Sequence, residues 1–148
     1  MKKAVLVISA LFLITAGVSA QVCDINYLCN SASDARLIDI PTLRGKIDAL
    51  QLICSSSWVD TAETHLGNAV QPVKDLQTHL CASTPNLSEA LIDASAARDY
   101  LRLVYTSLRR ANTMGGCAEA DVADARDFAY DLWKSIDYIH FKLEYDCP

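Results

Sequence analysis

Few residues in this 148-residue chain have the types and spacing that chemistry requires. Its histidines are His65, His79 and His140. On one continuous helix His65 and His79 would stand roughly 21 Å apart, at ~1.5 Å per residue, too far to share a site. His140 could approach one of them, but the local sequence suggests no serine-, cysteine- or carboxylate-based triad. There is no glycine-rich phosphate loop and no His-Glu-x-x-His. No catalytic residue is assigned and no enzymatic activity or cofactor is expected.

The six cysteines, Cys23, Cys29, Cys54, Cys81, Cys117 and Cys147, carry the clearest chemistry. None forms the close Cys-x-x-Cys pair with which zinc sites bring two ligands onto one ion, so no metal is expected. An even count downstream of a secretory leader implies three disulfides. The leader is read from Met1-Lys2-Lys3, an uncharged run from Ala4 to Gly17, and small residues up to Ala20. That run is short for a membrane span. The expected division is a signal peptide over 1–20 and a single domain over 21–148, secreted and extracellular, with no transmembrane segment.

Removing 20 of 148 residues leaves 128, enough for one domain with a core. Without Lys2 and Lys3, 11 basic residues face 18 acidic ones, a net charge of −7. Such an acidic balance argues against nucleic acid and against anionic membranes as partners.

The elements that must position these residues are helices. Residues 86–147 read as a helical hairpin. Leu87, Ala90, Ala94, Ala97, Leu101, Val104, Leu108 and Ala111 recur at alternating steps of three and four. Ala118, Val122, Ala125, Ala129, Leu132, Ile136, Ile139 and Leu143 repeat the rhythm after Thr113-Met114-Gly115-Gly116. Each seam must be buried, and an antiparallel pair is the natural solution. Small Ala90, Ala94 and Ala97 would meet large Ile136, Ile139 and Leu143, a solid interface.

Upstream, a helix is expected from Pro41, carrying Leu43, Ile47, Leu50 and Cys54. Ser55-Ser56-Ser57 interrupts it, and Ser57 with Asp60 reads as a cap for a second helix from Trp58. Pro72 should kink or break that helix. The expected fold is all-α, a disulfide-stapled up-and-down bundle with helices near 41–54, 58–81, 86–112 and 117–145. Residues 21–40 would be an N-terminal extension tied by Cys23 and Cys29. Three helices, the first long and kinked across the serines, is the alternative. The two models differ in their bridges. Four helices place Cys54 and Cys117 at one end and bring them together, whereas three favour Cys81 with Cys147. The plan of a secreted acidic bundle resembles that of helical cytokines in architecture alone, and no motif assigns a family.

Two surface features remain. Arg98, Arg102 and Arg109 lie to one side of the third helix's seam, and Asp121, Asp124 and Asp131 lie on or beside that of the fourth. They are expected to form interhelical pairs that fix the register; an arginine row facing an acidic partner is the sharper alternative. Six aromatics crowd into residues 128–145. Phe128 and Trp133 flank the seam, while Tyr130, Tyr138, Phe141 and Tyr145 point away from it, near Lys134. Either the N-terminal extension covers them or they form a binding surface. The expected function is a non-enzymatic secreted protein that binds another extracellular protein or receptor, of signalling or effector type, through Tyr130, Lys134, Tyr138, Phe141 and Tyr145. The alternative is an extracellular carrier of a small apolar ligand, held between helices by Leu43, Ile47, Leu50, Val73 or Leu76. Asn86-Leu87-Ser88 is the one Asn-x-Ser/Thr sequon, making Asn86 a candidate glycosylation site.

Overall fold

The computed structural model describes residues 23–147. The expected leader and its cleavage site lie outside them. Four helices run up, down, up and down. The first, α1, covers residues 25–53 in three contiguous segments, α-helical over Ile25–Asp34, a π turn over Ala35–Asp39, and α-helical again over Ile40–Ile53. Then come α2 (Ser57–Leu80), α3 (Leu87–Thr113) and α4 (Glu119–Tyr145). Each helix packs on its two neighbours in the cycle α1–α2–α3–α4–α1.

The start of α1 corrects the expected boundary at residue 40. Residues 25–40 are not an extension but the first half of a full-length helix. Asp24 caps it by accepting the Tyr27 N–H at 3.0 Å. Its buried positions explain the π turn. Leu28, Ala32 and Ala35 follow steps of four and three, and Leu43, Ile47 and Leu50 continue in steps of four and three from Ile40. Between Ala35 and Ile40 the step is five. One extra residue would swing the seam ~100° off the core in an α-helix; the wider π turn absorbs it, with the Ile40 N–H bonded to the Ala35 carbonyl. Pro41 follows, with no N–H to give to Leu37, so the ladder is already open there. It sits within the helix rather than starting it.

The break between α1 and α2 is real. Ser56 rather than Ser57 is the cap, accepting the Trp58 N–H at 3.3 Å. Ser56 is almost fully buried, 6 % exposed, against the α3–α4 turn. A Cβ on Gly115 would lie 2.2 Å from the Ser56 Oγ. Gly116 takes φ 77°, the left-handed conformation glycine adopts most readily. Pro72 does not interrupt α2.

The core is closed by the apolar seams. Leu43, Ile47, Leu66, Leu76, Leu101 and Ile136 are fully buried, each contributing roughly 1.5–3 kcal/mol by leaving water. Ala90, Ala94 and Ala97 are equally buried, as are Ile136 and Ile139. Polar clamps sit at every helix pair. Lys46 reaches Asp124 across α1–α4, and His79 meets Asp93 across α2–α3 at 2.7 Å. Arg98 donates to His140 across α3–α4 at 3.1 Å. Between α1 and α2, Gln77 joins Arg36 and Ser33.

Disulfides staple both ends. Cys54–Cys117 closes the end where α1 hands over to α2 and α3 to α4. Cys23–Cys147 and Cys29–Cys81 close the other. These are the bridges of a four-helix bundle, not those of a three-helix one.

Candidate functional site: the outer face of α4

The heptad-like seam of α4 turns Tyr130, Lys134, Tyr138, Phe141 and Tyr145 away from the core. Tyr130 is 42 % exposed, Tyr138 45 %, Phe141 50 % and Tyr145 64 %. Phe128 and Trp133, on the flanks, pack partly buried against the core.

The face is organised as three ring clusters. Tyr130 leans on Tyr105 of α3 (centroids 5.4 Å apart) and meets Trp133 edge-on at 5.6 Å. Tyr138 meets Tyr27 of α1 in an edge-to-face contact at 6.2 Å. Phe141 and Tyr145, one turn apart, lie against each other at 4.9 Å. The N-terminal residues therefore touch Tyr138 but do not cover the face, because they are wound into α1 rather than draped over α4.

Lysines frame the rings. Lys134 sits 5.0 Å from the Trp133 ring centroid and pairs with Asp137 at 3.0 Å. Lys142 lies 5.5 Å over Tyr138, and its hydrogen bond to Asp146 holds its ammonium above the usual lysine range. An open depression of about 490 Å³ runs along this face, with Lys134, Phe141 and Tyr145 on one side and Arg98 and His140 on the other. A smaller one, about 250 Å³, lies between Tyr27 and Tyr138 beside the Cys23–Cys147 bridge. Sequence periodicity did not point to Tyr27, Tyr105, Arg98 or His140 as members of this surface. Tyr27, Tyr105 and Arg98 come from neighbouring helices, and only the packing brings them alongside His140 and the α4 rings.

The expected register-fixing pairs are not formed. Asp124 reaches Lys46 of α1 instead. Asp121 and Asp124 line the α1–α4 groove and Asp131 lines a cleft beside Asp39. These aspartates occupy the α1 side of α4, so Arg98 meets His140 instead and Arg109 shares a depression with Arg126, Asp127 and Tyr130. Burial, then the nearby Asp34 charge, raise the Asp39 pKa above the ordinary carboxylate value.

The histidines do not converge on one another. His79 pairs with Asp93, His140 lies between Arg98 and Glu144, and the His65 Nδ1 is buried with no partner among the described residues. Among those residues no group of three or more His, Cys, Asp or Glu could hold a metal ion. No described helix is long and apolar enough to cross a membrane.

Asn86 is exposed and caps α3. Its Oδ1 accepts the Glu89 N–H at 3.3 Å and the Ser88 hydroxyl at 3.0 Å. The Nδ2, to which a glycan would attach, takes no part in the cap. The chain has no significant match to a protein family, a curated protein or a solved structure.

Proposed function

We propose that the mature chain is a secreted, non-enzymatic protein that acts by binding another extracellular protein or receptor through the outer face of α4. One observation carries the reading. Four aromatics, Tyr130, Tyr138, Phe141 and Tyr145, stand 42–64 % exposed on a bundle whose core is already closed without them. Tyr and Phe supply large contact area at little conformational cost and dominate protein interfaces. The lysines and the open depression add a polar rim. Disulfide staples at both ends suit an oxidising, extracellular setting.

The carrier reading has less support. Leu43, Ile47, Val73 and Leu76 have no solvent-accessible surface, and Leu50 only 2 %. A void large enough for a water molecule would give the side chains around it some such surface.

Native mass spectrometry of protein secreted from a eukaryotic host separates the two. A mass equal to the chain less 20 residues and six hydrogens, with or without a glycan, is expected for a protein binder. A mass excess that leaves with organic solvent would establish the carrier instead. The surface itself is tested by Tyr138→Ala/Phe141→Ala, which should abolish partner recovery in affinity purification while the helical content stays native. Equal recovery by that variant would discard the α4 face.

A further inference from the structure

The outer flank of α3 bears Arg98, Arg102, Tyr105 and Arg109, at steps of four, three and four. Arg98 is engaged by His140 and Asp99. Arg102 and Arg109 are exposed, and neither has a carboxylate within ion-pair distance among the described residues. Between them Tyr105 stacks on Trp133, centroids 6.0 Å apart and planes 16° apart, and touches Tyr130. An open depression of about 450 Å³ spans Tyr105, Arg109, Arg126, Asp127 and Tyr130, with Asp127 held by Arg126. Acidic residues lie on all four helices, Glu89, Asp93 and Asp99 on α3 among them. Yet on a chain of net charge −5, two guanidiniums with no ion-pair partner among the described residues, set beside stacked rings, are a local excess of positive charge.

We propose that this stripe seats an acidic segment of the protein partner, its carboxylates pairing with Arg102 and Arg109 and its apolar side chains lying on Tyr105 and Tyr130. The inference rests on the protein-binding reading above and names the chemistry of the partner. Arg is the cation that pairs carboxylates bidentately and keeps its charge at any physiological pH. Seven residues on a helix separate Arg102 from Arg109 by roughly 10 Å along the axis. Acidic residues seven apart on a partner helix match that spacing, as do residues three apart on a polyproline II segment, which share a face at three residues per turn and ~3.1 Å per residue. A polypeptide fits better than a sulfated polysaccharide or a nucleic acid. Arg126 is already paired with Glu119 and Asp127, and Asp137 and Glu144 border the same face. A uniformly anionic polymer laid along it would meet those carboxylates, whereas a peptide can alternate acidic with apolar side chains.

The test uses the folded, disulfide-bonded chain as bait for a phage-displayed random peptide library. Selected peptides are synthesised, and their affinities measured at low and high salt. Peptides enriched in Asp and Glu, with a pair spaced to span ~10 Å, are expected. Arg102→Glu/Arg109→Glu should weaken them at least tenfold. Arg44→Glu/Lys74→Glu, which makes the same charge change at exposed sites on α1 and α2, should leave binding within twofold. Circular dichroism checks that both variants keep the native helix content. Acid-rich peptides that need the arginines but ignore Tyr138→Ala/Phe141→Ala would uphold the stripe and remove Tyr138 and Phe141 from the binding surface. Peptides without acidic enrichment, or bound equally by the arginine reversal, would overturn the stripe; loss of those same peptides on Tyr138→Ala/Phe141→Ala would leave the α4 surface standing. Failure to select any peptide, or arginine-dependent binding of heparin in place of peptides, would also overturn it.

Discussion

Cutting the bridge that ties the two ends of the chain, Cys23→Ser/Cys147→Ser, should cost stability by an amount the topology fixes. A crosslink acts mainly by restricting the unfolded chain, and the effect grows with the logarithm of the loop it closes. Cys23 and Cys147 are 124 residues apart, which alone would suggest about 5 kcal/mol. The other bridges shorten that loop. Cys54–Cys117 spans 63 residues, and stepping across it leaves a path of 61 between Cys23 and Cys147 (124 less 63). A loop of that size corresponds to about 4 kcal/mol. The first turn of α1 and the end of α4 can fray once released, returning entropy to the folded state, so the net loss should be ~2–4 kcal/mol. For a domain of this size that lowers the thermal midpoint by roughly 8–15 °C. Guanidinium unfolding followed by far-ultraviolet circular dichroism measures it, with mass spectrometry confirming that the other two bridges are intact. Cys54→Ser/Cys117→Ser is the comparison. Its loop is nearly the same length, but its ends sit between helices and cannot fray freely, so its loss should be the larger. A terminal variant that loses less than ~1 kcal/mol, or more than the internal one, would refute the chain-entropy account.

Three further outcomes follow from the packing. Ala97→Leu forces a large side chain into the closed α3–α4 interface and should destabilise the fold by ~1–3 kcal/mol, read as a lower denaturant midpoint. Asp39→Asn tests a raised pKa. The folded state holds this proton more tightly than the unfolded one, so the native protein loses stability as pH rises from the ordinary carboxylate value of 3.8 through the raised folded value. The variant should therefore be more stable than native at neutral pH, and its advantage should vanish in acid; a gain that persists below pH 3.8 would contradict this. At Asn86, Asp keeps the capping oxygen and removes the glycan acceptor, whereas Ala removes both. Secreted Asn86→Asp should lose any glycan mass yet keep its midpoint, and Asn86→Ala should lose ~1 kcal/mol as well.

The sequence alone determined the last two helices, because both seams are unbroken three–four repeats and nothing in their turn competes with the hairpin. It also separated α1 from α2, where the serine run and the cap signal coincide, although the capping residue is Ser56 rather than Ser57. The first half of α1 is not legible in the sequence. Asn30-Ser31-Ala32-Ser33-Asp34 has weak helix preference and looks like a loop in isolation. What holds it helical is tertiary, namely the burial of Leu28, Ala32 and Ala35, the Cys29–Cys81 bridge and the Ser33–Gln77 bond. The five-residue step from Ala35 to Ile40 was the legible trace of the π turn, but only to a reading that already placed both sides on one seam.

The site divides in the same way. Periodicity on α4 alone turned Tyr130, Tyr138, Phe141 and Tyr145 outward, since a side chain's angle to its own seam is a local property. Which neighbours stand beside them is not local. Tyr27, Tyr105, Arg98, Arg102 and Arg109 reach that face through the order in which the helices close the bundle. The same closure turns Asp124 toward Lys46 and leaves the arginines without the carboxylates that spacing alone had assigned them. Helix faces are written in one dimension, whereas partners across helices are set by which flank meets which, and only the packed bundle decides that.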